Sequence, residues 1–180
     1  MAVLLSPWAA LAAGLLVYFC PWRTLGLLAL PLAAHELGHL FFLVLLGGKL
    51  RTLRVELFGL CIEYAGVCRP WQRALIAFGG PFFGALYALA AAPFGENGAL
   101  SAGLSFLLTL FNLIPAPILD GGKIAAALLP EKTAGALGAL SMAGVFCAGL
   151  WFVSQGRGAG LLVAGTALLV TQIKEKTFLS

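Results

Sequence analysis

Six stretches of this chain are apolar for about the length a helix needs to cross a bilayer, and that constrains the fold more than any motif does. They cover roughly residues 2–20, 25–46, 74–94, 99–119, 134–153 and 159–173. In hydrocarbon, every backbone N–H and C=O must find its partner within the protein, so such segments fold as helices. The first is interrupted by Pro7 and the last is short. The expected fold is an all-α polytopic membrane protein with about six transmembrane helices. Composition agrees: 61% of residues are hydrophobic and 10% are charged, against about 25% charged in a soluble domain. Residues 1–180 read as a single membrane-embedded domain, with no repeat and no linker. The N-terminus lacks a basic n-region and a small-residue cleavage site, so it reads as a retained first span.

One connection is different. Residues 47–73 carry Lys49, Arg51, Arg54, Arg69 and Arg73 with Glu56 and Glu63. Within it, LRTLRVELFGLCIEY partly alternates apolar with charged residues, which favours short strands and a hairpin around Phe58-Gly59. The competing reading is an amphipathic segment lying on the membrane surface. The basic residues cluster on one side of a six-span layout, which makes that side, and both termini, cytoplasmic. The net charge of +4 is then a topology signal, and no aromatic-basic interleaving points to nucleic acid. Cys20, Cys61, Cys68 and Cys147 form no CxxC and read as small hydrophobes.

The chain has only two histidines, His35 and His39, and both lie inside an apolar run, PLAAHELGHLFFLVLLGG. Four-residue spacing on a helix puts them on one face, where two imidazoles can reach one metal ion. Glu36 completes an H-E-x-x-H arrangement, with the histidines as zinc ligands and the glutamate as general base. Intramembrane ionisable residues are costly and rare, which weighs against a mere packing cluster. A catalytic zinc takes three protein ligands and a water, so a third ligand is needed. Glu56 and Glu63 lie in the surface connection, Glu96 in the opposite loop, Glu131 in a polar turn and Glu175 in the tail. Asp120, the single aspartate, ends an apolar run. Before it, FNLIPAPIL contains Pro115 and Pro117, which break a helix, and Asn112, a buried amide. His35 and His39 lie roughly 10–17 Å from the cytoplasmic end of the second span at about 1.5 Å per residue. The fourth span brings Asp120 in from the same side.

These two separated motifs, HELGH and Asn112-Leu-Ile-Pro115-Ala-Pro-Ile-Leu119-Asp120-Gly121, resemble HExxH and NxxPxxxLDG of the site-2 protease family of intramembrane zinc metalloproteases (M50 type). A weaker match is Gly79-Gly80-Pro81-Phe82-Phe83-Gly84, where many members have Asn in place of Gly84. The Gly80-x-x-x-Gly84 step also reads as close helix packing. The resemblance covers about residues 25–129 as a catalytic core, with extra helices at 2–20, 134–153 and 159–173. The compact layout is similar to the bacterial branch that includes the sporulation sigma-factor-processing protease, here without a CBS or PDZ module.

The resemblance implies Zn2+ held by His35, His39 and Asp120, with Glu36 catalytic. It implies that Asn112 orients or stabilises substrate; support of the broken helix is the other role open to that amide. It implies membrane-associated protein substrates cut in or near their transmembrane segments. The setting is the lipid bilayer of a bacterial cytoplasmic membrane, with the active site in its cytoplasmic half. A regulatory membrane partner is left unidentified. Lys123, one turn past Asp120, reads as a snorkelling residue that could also touch the site. A divalent-metal transporter or an inactive adaptor are the competing functions. Against transport, the second half of the chain has no histidine; against an adaptor, Glu36 is present.

Overall fold

The computed structural model describes residues 2–56, 59–67, 69–156, 158–160, 162–163 and 165–166. Its chain falls into two compact units, Met1–Phe111 and Asn112–Ser180.

The first unit opens with a departure from the sequence reading. Residues 2–20 are not one span. Ala2–Leu5 form strand β1, and helix α1 runs Pro7–Phe19. The break is local chemistry: Ser6 caps the helix by accepting a hydrogen bond from the Ala9 N–H at 3.1 Å, and Pro7 sits at the first turn, where its missing N–H costs nothing. At 13 residues, α1 is about 20 Å long, shorter than a hydrocarbon core of about 30 Å.

Helix α2 spans Trp22–Leu45, and the basic connection after it is the expected hairpin, β2 (Lys49–Glu56) antiparallel to β3 (Gly59–Ala65). Glu56 pairs with Gly59, and residues 57–58 between them lie outside the described residues. Strand β1 adds in parallel to the other edge of β2, Ala2 opposite Thr52, which makes β2 the central strand of three. The hairpin is tied to the helices by a small apolar core. Leu43, Val67 and Ile76 are buried, with Phe42, Leu46, Leu50 and Tyr64 packed against them.

Helices α3 (Pro70–Ala91) and α4 (Gly95–Asn112) complete this part of the chain. Among the described residues, α2, α3 and a later helix, α6 (Glu131–Ser154), are long and apolar enough to cross a membrane. The expected span at 99–119 stops at Asn112, before Pro115 and Pro117, and the stretch expected as a last span, 159–173, falls mostly outside the described residues.

Helix α2 contains a proline in its interior, Pro31. With no N–H, Pro31 leaves the carbonyl of Leu27, four residues back, without its helical donor. Ser101 of α4, itself buried, supplies one: its Oγ donates to Leu27 O at 3.1 Å, and Tyr87 of α3 donates to Ser101 Oγ at 2.8 Å. Three helices thus converge on one freed carbonyl. A second tie lies outside the apolar zone, where the Arg23 guanidinium of α2 hydrogen-bonds Asn97 of α4.

In the second unit, residues 113–119 form an irregular loop, followed by α5 (Asp120–Leu128) and α6. Gly121 and Gly122 allow that loop to lie on the first turn of α5. A Cβ at Gly121 would strike the carbonyls of Leu113 and Ile114, and one at Gly122 would strike that of Ala116. Hydrogen bonds Ala116 N–H to Ile114 O (2.8 Å) and Leu119 N–H to Ala116 O (2.9 Å) fold the loop on itself.

Replacing Ser101 with Ala removes the donor to Leu27 O. Unfolding free energy in detergent is expected to fall by about 0.6–1.7 kcal/mol, the range measured for hydrogen bonds between transmembrane helices. Tyr87→Phe, which leaves the bond to Leu27 O in place, is expected to cost less. Equal stability of Ser101→Ala and the wild type in a reversible denaturation series would remove the carbonyl from the account.

Candidate metal centre

His35 and His39 project from one face of α2, one turn apart, and both are buried, at 3% and 7% exposure. Their rings stand nearly perpendicular, at 82°, with centroids 5.0 Å apart. The Nε2 atoms face each other at 3.3 Å. Two nitrogens each about 2.0–2.1 Å from a tetrahedral zinc ion lie about 3.3–3.4 Å apart, so the pair fits two positions of such an ion. Nδ1 of His39 lies 2.8 Å from Ile76 O on α3. An Nδ1–H that donates to this carbonyl leaves the Nε2 lone pair for a metal, the usual way a ligating imidazole is held and its tautomer set.

The space for both rings comes from α3. A Cβ at Gly80 would collide with Nε2 and Cε1 of His39 and with Nε2 of His35. One residue earlier on each helix, at Gly38 and Gly79, the backbones themselves meet. A Cβ at Gly38 would strike Gly79 O, and one at Gly79 would strike Gly38 O. Small residues at such crossings let helices in a bilayer approach until backbones touch.

Glu36 follows His35 on α2 and is half-buried. Asp120 is the first residue of α5 and is 2% exposed. Its Oδ1 accepts from Lys123 Nζ at 3.0 Å, so Lys123 does touch the carboxylate instead of only reaching toward solvent. A carboxylate in the first turn of a helix also sits at the positive end of its dipole. Asn112 ends α4 and is half-buried.

The comparisons with known proteins bear on this arrangement. Residues 96–153 match the model of peptidase family M50. A protein of Synechocystis sp. named as a zinc metalloprotease is 32% identical over 118 residues, which is 59% of this chain and 31% of that protein, so the chain spans about a third of this relative's length. The site-2 protease from Methanocaldococcus jannaschii has the same fold, with a TM-score of 0.68 over 92% of this chain and 86% of that one, at 18% identity. The chain is an integral membrane protein with the site-2 protease fold, and its residues 96–153 carry the likeness to peptidase family M50. The matched segment 96–153 holds Asn112 and Asp120, while the H-E-x-x-H residues lie ahead of it.

Some contributors to the centre escaped the sequence reading. Ile76 acts through its carbonyl, which has no side-chain signature. Gly38 occupies a variable position of H-E-x-x-H, and Gly80 read only as a packing residue. Gly80→Ala is expected to lower zinc affinity roughly 10–100-fold, the usual cost of disturbing what orients a metal ligand, without loss of helical circular dichroism. Competition with a chromophoric chelator measures it, and wild-type affinity in this variant would mean that the rings do not need the space.

Proposed function

We propose that this chain is an intramembrane zinc metalloprotease that hydrolyses peptide bonds in or near transmembrane segments of membrane-associated proteins. The observation that carries the reading is the pair of buried imidazoles, with Nε2 atoms 3.3 Å apart and one ring anchored through Nδ1 on Ile76 O. Zinc would be held by His35, His39 and Asp120. Supporting Asp120 are its burial, its place at a helix start and its standing as the single aspartate of the chain. Two nitrogens and one oxygen form a ligand set of the catalytic type, with a fourth position for water or substrate. When bound, zinc acidifies water and polarises a carbonyl.

Glu36 is the general base. Its carboxylate takes a proton from the attacking water and returns it to the leaving amine nitrogen, which spares that nitrogen from departing as an anion. Asn112 offers an amide that can donate to a substrate carbonyl, besides supporting the end of α4. A transmembrane substrate hides its peptide bonds in its own helix and must be extended before it is cut. The sheet offers outer strands, β1 and β3, to which an extended segment can add through backbone hydrogen bonds. We place the whole chain in one membrane-embedded domain with a core of about residues 25–129. Its membrane is the bacterial cytoplasmic membrane, with both termini cytoplasmic and the active site in the cytoplasmic half of the bilayer.

The test is co-expression with a membrane-tethered substrate, followed by purification and metal analysis. Glu36→Gln is expected to cut about 10²–10⁴-fold more slowly, the usual contribution of a general base, while keeping its zinc. Asp120→Asn is expected to lose zinc and cleavage together. Undiminished cleavage by Glu36→Gln would take that residue out of the mechanism.

A further inference from the structure

Helix α5 begins Asp120-Gly121-Gly122-Lys123, which puts a lysine at the close of its first turn. A cation is at the wrong end there, because the dipole makes a helix N-terminus positive. Side chains on a helix lean toward its N-terminus, so a residue at i+3 comes to lie over residue i. Lys123 follows that geometry, and its Nζ donates to Asp120 Oδ1 at 3.0 Å.

The two partners differ in their surroundings. The Asp120 side chain is 3% exposed and that of Lys123 is 51% exposed. An i,i+3 ion pair between two exposed groups is worth little, since water solvates both ends just as well apart. Here only the lysine has that choice. It gives up rotamer freedom to bring its ammonium to a carboxylate closed off from water. A charged donor on a carboxylate makes one of the stronger hydrogen bonds in a protein.

That bond acts on a freedom the backbone leaves to Asp120. The folded loop at 113–119, lying on Gly121 and Gly122, sets where the backbone of residue 120 stands. It does not set the rotation of the carboxylate about its Cβ–Cγ bond, a torsion that is broad in aspartate. A metal ligand needs that torsion held, because the lone pairs turn with it. An ammonium on Oδ1, carried three residues along the same helix, holds it.

We propose that Lys123 is a positioning residue for the candidate metal centre, its ammonium setting the plane of the Asp120 carboxylate. Lys123 acts through Asp120 and is neither ligand nor proton carrier. The assignment rests on the reading of Asp120 as a zinc ligand. A cation beside a ligand also repels the metal ion, so the sign of its net effect separates the two roles. Orientation makes zinc binding weaker when Lys123 is removed, and repulsion alone makes it tighter.

The test uses the full chain in detergent, folded by helical circular dichroism. It reads zinc affinity by chelator competition and, at saturating cobalt, the positions of the visible bands, which follow ligand geometry. Lys123→Met keeps most of the stem and removes the donor. It is expected to lower zinc affinity about 10–100-fold, the usual cost of losing a group that orients a ligand, and to shift the cobalt bands. Lys123→Arg, which keeps a charged donor, is expected to restore both readouts. If Lys123→Met does not fold, Lys123→Gln takes its place, with a smaller loss of affinity expected from its shorter, neutral donor. Wild-type or tighter zinc binding in the variant tested, with Asp120→Asn unable to bind, would overturn the assignment and leave Asp120 a ligand. Unshifted cobalt bands in a variant that binds zinc weakly would also overturn it, because the lysine would then serve the fold of α5 and not the carboxylate's geometry. If Asp120→Asn binds zinc as tightly as the wild type, the ligand reading itself fails.

Discussion

Two helix backbones can touch only where neither carries a side chain, and the candidate metal centre depends on one such crossing. Gly38 and Gly79 place the carbonyl of each helix where a Cβ of the other would have been. In a bilayer no hydrophobic force presses helices together, so close van der Waals contact over small residues does much of that work. Gly38 is also the residue before His39, and Gly79 the residue before Gly80. The register that brings the backbones together is thus the register that lays both imidazoles over Gly80 and sets His39 Nδ1 against Ile76 O. A slip of one residue along α3 would lose the crossing and the anchor together. Sites held on rigid elements keep their geometry better than sites on loops, and here the rigidity and the imidazoles come from the same turn.

The polar side chains of the first unit follow a similar economy. A proline inside α2 frees a carbonyl at membrane depth, where an unsatisfied group costs several kcal/mol, roughly. Ser101 meets that carbonyl, Tyr87 meets Ser101, and Ser105 adds a bond to Gly84 O. On its buried face helix α4 presents hydroxyls, Ser101, Ser105 and Thr109, at every fourth residue. Hydroxyls suit that task because each donates and accepts at once, and because they are cheap to bury beside an ionised side chain. The Arg23–Asn97 contact adds a tie between α2 and α4 at an exposed position.

What could be read from the sequence tracks the physics of each feature. His35, Glu36, His39 and Asp120 stood out because ionisable groups in apolar runs are expensive. The hairpin was legible because the charged-apolar alternation of β2 and β3 matches a strand's period. Pro115 and Pro117 foretold the end of α4. Strand β1 was not legible: AVLL is as apolar as any span, and it joins the sheet through backbone groups that no side chain advertises. The same reason hid Ile76, whose carbonyl is its whole contribution. The hydroxyl stripe on α4 had a signal, its four-residue spacing, but Ser and Thr are common enough in membrane helices to pass as ordinary packing residues. Glycines were the half-legible class. Their spacing suggested close packing without saying which side chain would fill the space.

In the second unit the carboxylate is built on a different plan from the imidazoles. The histidines sit mid-helix and are steered by neighbours, whereas Asp120 sits at a helix start behind a short, stiff loop. Pro115 and Pro117 each fix one backbone dihedral, and the two hydrogen bonds within 114–119 remove more of the loop's freedom. Gly121 and Gly122 let the loop's carbonyls lie directly on the first turn, which a side chain at either position would prevent. Aspartate then has a specific advantage over glutamate. One fewer methylene means one fewer rotatable bond, so a carboxylate on a rigid base has little left to order. Lys123, one turn on, donates to Oδ1 and adds a further constraint on the carboxylate. Loop stiffness, glycine spacing and side-chain length act here toward one end, a carboxylate whose position is set by its backbone.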